Sequence, residues 1–156
     1  MLTVRIRSIA LASLLLICSH VLVAQQAKKS VPPLDTAAFT PETAVKVMDQ
    51  LLQGLQTHNP NQFLSAFDPE FMTNYGEFAN QISVLFTQYE NFAGRYHVRQ
   101  MGDNPDRPLV LVQFDLQADS ASPGAPLRKS SQVRFEFARG RNGWRIVNLT
   151  PRGFFS

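Results

Sequence analysis

The strongest constraint on the fold is a stretch near the C-terminus, residues 132–149, with the sequence QVRFEFARGRNGWRIVNL. Val133, Phe135 and Phe137 alternate with polar residues, which is the period of two expected of a strand buried on one face. An Asn-Gly pair at 142–143 then favours a tight turn, because both residue types tolerate a positive φ. A second apolar run follows the turn. The stretch therefore predicts a β-hairpin with one buried face.

Two further strands are predicted upstream, at residues 95–101 and 109–118. The same alternation assigns the following apolar residues to the inner face: Val110, Val112, Phe114 and Leu116. It assigns the polar residues Tyr96, Gln100 and Asn148 to the inner face as well. Asp115 and Glu136 fall on the opposite parity and are expected to face outward. Together with the hairpin, these strands predict a four-stranded antiparallel sheet.

Three helices are predicted before the sheet. The first begins at Thr40-Pro41-Glu42, where a capping hydroxyl precedes a proline and a carboxylate. A second, shorter helix begins at Asn59-Pro60, and a third occupies about residues 74–91. The third helix has an apolar stripe consisting of Phe78, Ile82, Leu85, Phe86 and Tyr89. Gly94 is expected just past its C-terminal end. This order predicts an α+β fold, with three N-terminal helices packed on a curved four-stranded antiparallel sheet.

Residues 1–24 are expected to be a cleaved secretory signal peptide. Arg5 and Arg7 form a positively charged start, residues 9–17 are apolar, and Ala24 is a small residue after which cleavage is expected. An uncleaved membrane anchor is the alternative. However, the apolar segment is interrupted by polar residues and is shorter than the roughly 20 residues of a spanning helix. The sequence therefore predicts a secreted or periplasmic protein.

The rest of the chain is expected to form a flexible linker, residues 25–39, and one folded domain, residues 40–156. Without the signal segment, the chain carries 13 basic residues against 12 acidic ones. This near-neutral balance gives little support to nucleic acid as a partner. After cleavage of the signal segment, no membrane partner is expected.

The sequence contains few candidates for a metal, cofactor or nucleophile site. The single cysteine is Cys18, inside the predicted signal segment, and only His58 and His97 lie beyond that segment. A zinc or transition-metal site is therefore not expected. The chain has no Gly-rich phosphate loop and no G-x-S-x-G motif, so no cofactor is expected. His97 has the strand parity of Arg95 and Arg99, which favours a place on the solvated outer face.

The order of helix, short helix, aromatic helix and antiparallel strands resembles the nuclear transport factor 2-like superfamily. This superfamily includes ketosteroid isomerases, SnoaL-like polyketide cyclases and limonene epoxide hydrolases. The residues that carry the resemblance are the strand at 133–138, the turn at 142–143 and the WRIV segment at 144–147. The resemblance implies a cone-like fold with an apolar pocket. Only residues 69–72 are available for a strand pair that such proteins usually have, so a reduced pocket mouth is expected.

The resemblance also defines what an enzyme of this fold would need. An isomerase of the superfamily uses an acidic base and a tyrosine or acid as hydrogen-bond donor inside the cone. Strand parity here directs no carboxylate inward, so no catalytic residue is assigned. The candidate ligand-pocket residues are Phe86, Tyr89, Tyr96, Gln100, Phe114, Phe135 and Asn148.

The leading functional hypothesis is a secreted or periplasmic, non-catalytic domain that binds a small apolar or amphipathic ligand in a cone-shaped pocket. One alternative is a small isomerase- or hydrolase-type enzyme, which a carboxylate within reach of Tyr96 inside the cone would favour. Another is an accessory or assembly module, which a cone filled by side chains would favour. A homodimer through the outer sheet face is the expected macromolecular partner.

Overall fold

The protein is described by a computed structural model that covers residues 38–102 and 104–156. Three helices precede four strands and a C-terminal 3₁₀ helix. The elements are α1 (Pro41–Gln56), α2 (Pro60–Leu64), α3 (Tyr75–Gln88), β1 (Tyr89–Met101), β2 (Leu109–Ser120), β3 (Leu127–Gly140), β4 (Gly143–Thr150) and the 3₁₀ helix (Arg152–Phe155). The strands form one antiparallel sheet in the order β1-β2-β3-β4. The predicted α+β fold is confirmed, whereas the predicted signal segment and residues 25–37 of the linker lie outside the described residues.

The first two helices begin where the sequence predicts. The Thr40 hydroxyl accepts a hydrogen bond from the backbone N–H of Thr43, at 3.2 Å, and Pro41 occupies the first helical position. At α2, the side-chain oxygen of Asn59 accepts from the backbone N–H of Gln62, at 3.0 Å. None of the helices in the described part of the chain is long and apolar enough to cross a membrane.

The junction between α3 and β1 differs from the prediction. Helix α3 ends at Gln88, and β1 begins at the next residue, so Tyr89 belongs to a strand. Gly94 is not a helix cap but lies inside β1, opposite Leu116. A methyl group built on Gly94 would lie 2.6 Å from Cδ1 of Leu52. The glycine therefore lets helix α1 approach the sheet closely.

The predicted inner faces of β2 and β3 are confirmed. Val110, Val112, Phe114 and Leu116 of β2 are buried, as are Val133, Phe135 and Phe137 of β3. Their burial alternates with more exposed residues along each strand. The alternation identifies the inner face correctly because helices cover only one side of this sheet.

The space between the helices and the sheet is filled by aromatic side chains. Phe155, from the C-terminal 3₁₀ helix, is 1% exposed, and its ring lies edge-on to Phe63 of α2 at a centroid distance of 5.1 Å. The same ring lies 5.6 Å from Phe114 of β2, and the Phe154 ring lies 5.4 Å from Phe114. The C-terminal residues therefore pack as part of the core.

Candidate functional site

Three of the predicted pocket residues are part of the packed core. Phe86, Phe114 and Phe135 are all buried. The Phe86 ring lies 5.0 Å from Phe92 and 6.0 Å from Phe63, centroid to centroid. Ring contacts of this kind are typical of core packing. These side chains therefore face other side chains of the same core.

The two tyrosines predicted to line the pocket lie nearer the surface. Tyr89 is half-buried at the start of β1, opposite Ser120. The Tyr96 hydroxyl donates a hydrogen bond to Oδ1 of Asp49 on α1, at 2.7 Å. Burial, and then the hydrogen bond and charge of Asp49, raise the pKa of Tyr96 well above its usual range. A carboxylate thus lies within reach of Tyr96, but Asp49 is exposed on the outer side of α1 rather than inside the core.

Gln100 and Asn148 do not have the inward parity that the sequence predicts. The register of β1 shifts between Val98 and Gln100, and Gln100 consequently pairs with the outward residue Leu111. A second shift places Asn148 opposite Glu136, which also has outward parity. A β-bulge adds one residue to a strand, so the side chains beyond it change face. Both corrections follow from bulges that residue alternation does not indicate.

The outward position of Asp115 agrees with the prediction. Its Oδ2 accepts a hydrogen bond from Nε of Arg95, at 3.0 Å, and its Oδ1 accepts one from the Ser130 hydroxyl. These partners, Ser130 first and then Arg95, lower the pKa of Asp115. Both partners lie on neighbouring strands of the outer face. Asp115 is therefore part of a polar surface cluster.

The sequence analysis did not identify the buried carboxylate, Asp68, in the loop after α2. The side chain is 8% exposed, and its Oδ1 accepts hydrogen bonds from the backbone N–H groups of Glu70 and Phe71, at 2.9 and 3.1 Å. The Asp-Pro pair at this position favours a turn. The two hydrogen bonds are typical of an Asp side chain that stabilises the turn in which it lies. Its role is therefore structural. Among the described residues, no group of three His, Cys, Asp or Glu side chains could hold a metal ion.

A cavity of about 850 Å³ opens at the end of the sheet where β3 and β4 meet. We call it the Trp144 cavity. Four segments that are distant in sequence form its walls: the start of α1 with the residues before it, the α2–α3 loop, the β1–β2 loop, and the β3–β4 hairpin. Its lining residues are Ala38, Phe39, Pro41, Phe71, Met101, Gly102, Asn104, Pro105, Asp106, Arg107, Pro108, Ala138, Arg139 and Trp144.

The walls of the Trp144 cavity combine aromatic and other apolar side chains with polar ones. The Phe39 ring packs edge-on against Trp144, with centroids 5.1 Å apart, and lies 4.9 Å from Phe137. Phe39 was assigned to the linker by the sequence analysis, but it packs against the fold. Phe71 also lines the cavity and is 48% exposed. The cavity therefore combines a well-packed aromatic wall with an aromatic side chain that solvent reaches.

One charged side chain is held against this aromatic wall. Arg139 pairs with Trp144 across the hairpin, and its guanidinium carbon lies 5.9 Å from the centre of the indole ring. Its Nε and Nη2 atoms are buried without a hydrogen-bond partner. The sequence analysis assigned this region only a hairpin turn, and no spacing of residue types in the sequence indicates the cavity.

No protein-family model matches the sequence, and no curated protein matches it. Solved structures do match the fold. A nuclear transport factor 2-like superfamily protein from Salmonella enterica serovar Typhimurium matches with a TM-score of 0.59 and 13% identity, over 69% of this chain and 86% of that one. A ketosteroid isomerase-like protein from Erwinia carotovora atroseptica matches with a TM-score of 0.56 and 14% identity, over 71% of this chain and 95% of that one.

A conserved protein from Planctomyces limnophilus also matches, with a TM-score of 0.59 and 11% identity, over 68% of this chain and 89% of that one. Similarity at such low identity concerns the fold and not the chemistry of a site. The helix order, the sheet order and these matches agree with one another. The chain has the fold of the nuclear transport factor 2-like superfamily.

Proposed function

We propose that the protein is a secreted or periplasmic, non-catalytic domain that binds a small amphipathic molecule in the Trp144 cavity. The volume of about 850 Å³ lies within the range of roughly 300–1,000 Å³ that is usual for small-molecule sites. Apolar walls with a few polar groups are also usual for such sites. The proposed site differs from the pocket predicted from the sequence, because Phe86, Phe114 and Phe135 are buried in the core. Gln100 and Asn148 also lack the predicted inward parity.

The observation that carries the proposal is the pair of aromatic side chains on the cavity wall. Trp144 is 7% exposed and fixed by packing, whereas Phe71 is 48% exposed. A half-exposed phenylalanine gains burial when an apolar ligand covers it, at roughly 25 cal/mol for each Å². The two rings therefore favour a ligand with an apolar part.

The enzyme alternative has less support from the geometry. Asp49 and Tyr96 form the one carboxylate–tyrosine hydrogen bond among the described residues. Asp49 is exposed to solvent, and Tyr96 does not line the Trp144 cavity. A general base needs to reach a bound substrate directly or through one water molecule. We therefore do not assign a reaction to this pair.

Native mass spectrometry of the protein purified from its own cells tests the proposal. We expect a non-covalent adduct of small-molecule mass, at one per chain, and an N-terminus near Gln25. Isolated protein stripped of this adduct should bind octanoate or 1-octanol in a calorimetric titration. Absence of both the adduct and any binding of these probes would contradict the proposed function.

Two variants locate the binding site. Phe71→Ser removes an aromatic wall of the cavity, and Val84→Ser removes a side chain of similar exposure (51%) on α3. Loss of about 60 Å² of ligand contact corresponds to roughly 1.5 kcal/mol, or about tenfold in affinity. We expect this loss for Phe71→Ser and none for Val84→Ser. Equal effects of the two substitutions would place the ligand elsewhere.

The filled interior favours a second candidate, an assembly module that forms a homodimer through its outer sheet face. Arg134 is exposed on this face. Arg134→Glu should therefore weaken a dimer that uses this face, whereas Lys46→Glu on helix α1 should not. Light scattering coupled to gel filtration distinguishes these outcomes, and a monomeric wild-type protein at high concentration would exclude the homodimer.

A further inference from the structure

Arg139 carries two buried hydrogen-bond donors, Nε and Nη2, for which the described chain provides no acceptor. Native structures pair the large majority of buried polar groups, so each exception calls for an explanation. The indole ring of Trp144 attracts the guanidinium charge but accepts no conventional hydrogen bond from these two atoms. The donors of Arg139 are therefore available to a group that the described part of the chain does not supply.

The two unpaired nitrogens belong to the same edge of the guanidinium group. Nε–H and one N–H of Nη2 point in parallel directions along that edge, at the spacing of the two oxygens of a carboxylate. Arg139 lies in the wall of the Trp144 cavity. Because both nitrogens are buried, the side chain of Arg139 has to rotate before a carboxylate in this cavity can accept both hydrogen bonds.

Charged side chains of both signs are among the described residues that line the cavity. Asp106 lines the same cavity, but it forms no ion pair with Arg139, because the one salt bridge among the described residues joins Arg95 and Asp115. Arg107 adds a second positive charge to the lining.

We propose that Arg139 is the anion-recognition residue of the Trp144 cavity, and that the ligand is an amphipathic carboxylate. Its carboxylate pairs with the Nε–Nη2 edge, and its apolar part contacts Phe39, Phe71 and Trp144. This inference rests on the proposed ligand-binding function. It adds the chemical class of the ligand and the residue that selects it.

Octanoate and 1-octanol are matched probes, because they have the same chain length and differ in the head group. Calorimetric titration at a pH well above the pKa of the carboxylic acid should show binding of octanoate at least tenfold tighter than binding of 1-octanol. Equal affinity for both probes would overturn the carboxylate assignment and leave the ligand-binding function standing. Binding of neither probe would overturn the inference together with the function on which it rests.

Substitution of Arg139 tests the assignment to one residue. Arg139→Met should abolish the preference for octanoate, and Arg139→Lys should lose most of it, because lysine keeps the charge but not the two-donor edge. Arg141→Met is the matched control, since Arg141 is exposed in the adjacent turn and does not line the Trp144 cavity. Retention of the preference in both Arg139 variants would overturn the proposal.

The melting temperature of Arg139→Met and the binding of a third probe also test the proposal. Because no described residue accepts a hydrogen bond from Nε or Nη2 of Arg139, Arg139→Met should melt at or above the wild-type temperature. A large drop in melting temperature would instead indicate a structural role and count against the proposal.

The guanidinium edge also pairs with phosphate, so octyl phosphate is the third probe. Tighter binding of octyl phosphate than of octanoate would overturn the carboxylate assignment.

Discussion

Replacement of Gly54 by alanine should destabilise the protein, although alanine is the better helix former. Gly54 lies on α1 where the helix crosses α2, and a methyl group built there would lie 2.4 Å from the backbone nitrogen of Phe63 and 2.6 Å from its Cα. The helices would have to separate by about 1 Å, and overpacking of this kind costs roughly 1–3 kcal/mol. The gain in helix propensity is about 1 kcal/mol. We expect a net loss of up to about 2 kcal/mol in the free energy of unfolding.

The matched substitution is Gly76→Ala in α3, where a methyl group would meet no atom within 4 Å. This variant should gain about 0.5–1 kcal/mol, because only the conformational term changes. Urea unfolding followed by circular dichroism measures both variants against the wild type. A Gly54→Ala protein as stable as Gly76→Ala would refute the close contact between α1 and α2.

Further substitutions test the core, the outer face and the hydrogen bond between Tyr96 and Asp49. Phe155→Ala should lower the free energy of unfolding by about 3–5 kcal/mol. Phe71→Ala is the control and should change it by no more than about 0.5 kcal/mol. Similar losses for the two variants in urea unfolding would mean that the Phe155 ring does not fill the core. Asp115→Ala should leave the melting temperature nearly unchanged, because its ion pair is exposed; a large drop would place this carboxylate inside. Burial and the Asp49 hydrogen bond raise the pKa of Tyr96 in the folded protein. The stability that comes from this raised pKa is present below the unfolded-state pKa of about 10, and it is lost as pH rises above that value. The wild type should therefore lose stability above this pH more steeply than Tyr96→Phe, and parallel pH profiles would contradict the assignment.

Patterns that depend on a single element were predicted well from the sequence. Phe114 and Leu116 alternate with the polar residues Gln113, Asp115 and Gln117, and both are buried. A helix start is similarly local, because the Thr40 side chain and Pro41 act within one turn. Such features follow from the period of the element and from backbone hydrogen bonds, and both are determined by neighbouring residues.

The junction of α3 with β1 could not be predicted in the same way. Helix α3 ends at Gln88 and the strand begins at Tyr89, but no glycine or proline lies at this junction. The sequence therefore contains no local signal for the end of the helix. Pairing with β2 extends the strand back to Tyr89, which is a tertiary effect. The bulge before Gln100 then reverses the parity that alternation predicts.

The Trp144 cavity could not be predicted from the sequence either. Phe39, Phe71 and Trp144 come from three separate segments, and their approach depends on the whole fold. The unpaired donors of Arg139 can be recognised only when every possible acceptor has been placed. An arginine next to a predicted turn is ordinarily a solvated surface residue.

Tryptophan fluorescence tests the central claim most directly, because the chain has a single tryptophan and it lies in the wall of the cavity. Titration with octanoate should change the emission of Trp144 until one equivalent is bound, with the same midpoint as the calorimetric titration. In Phe71→Ser, the midpoint should move to a concentration about tenfold higher. Calorimetric binding of octanoate without any change in Trp144 emission would place the ligand outside this cavity and contradict the account.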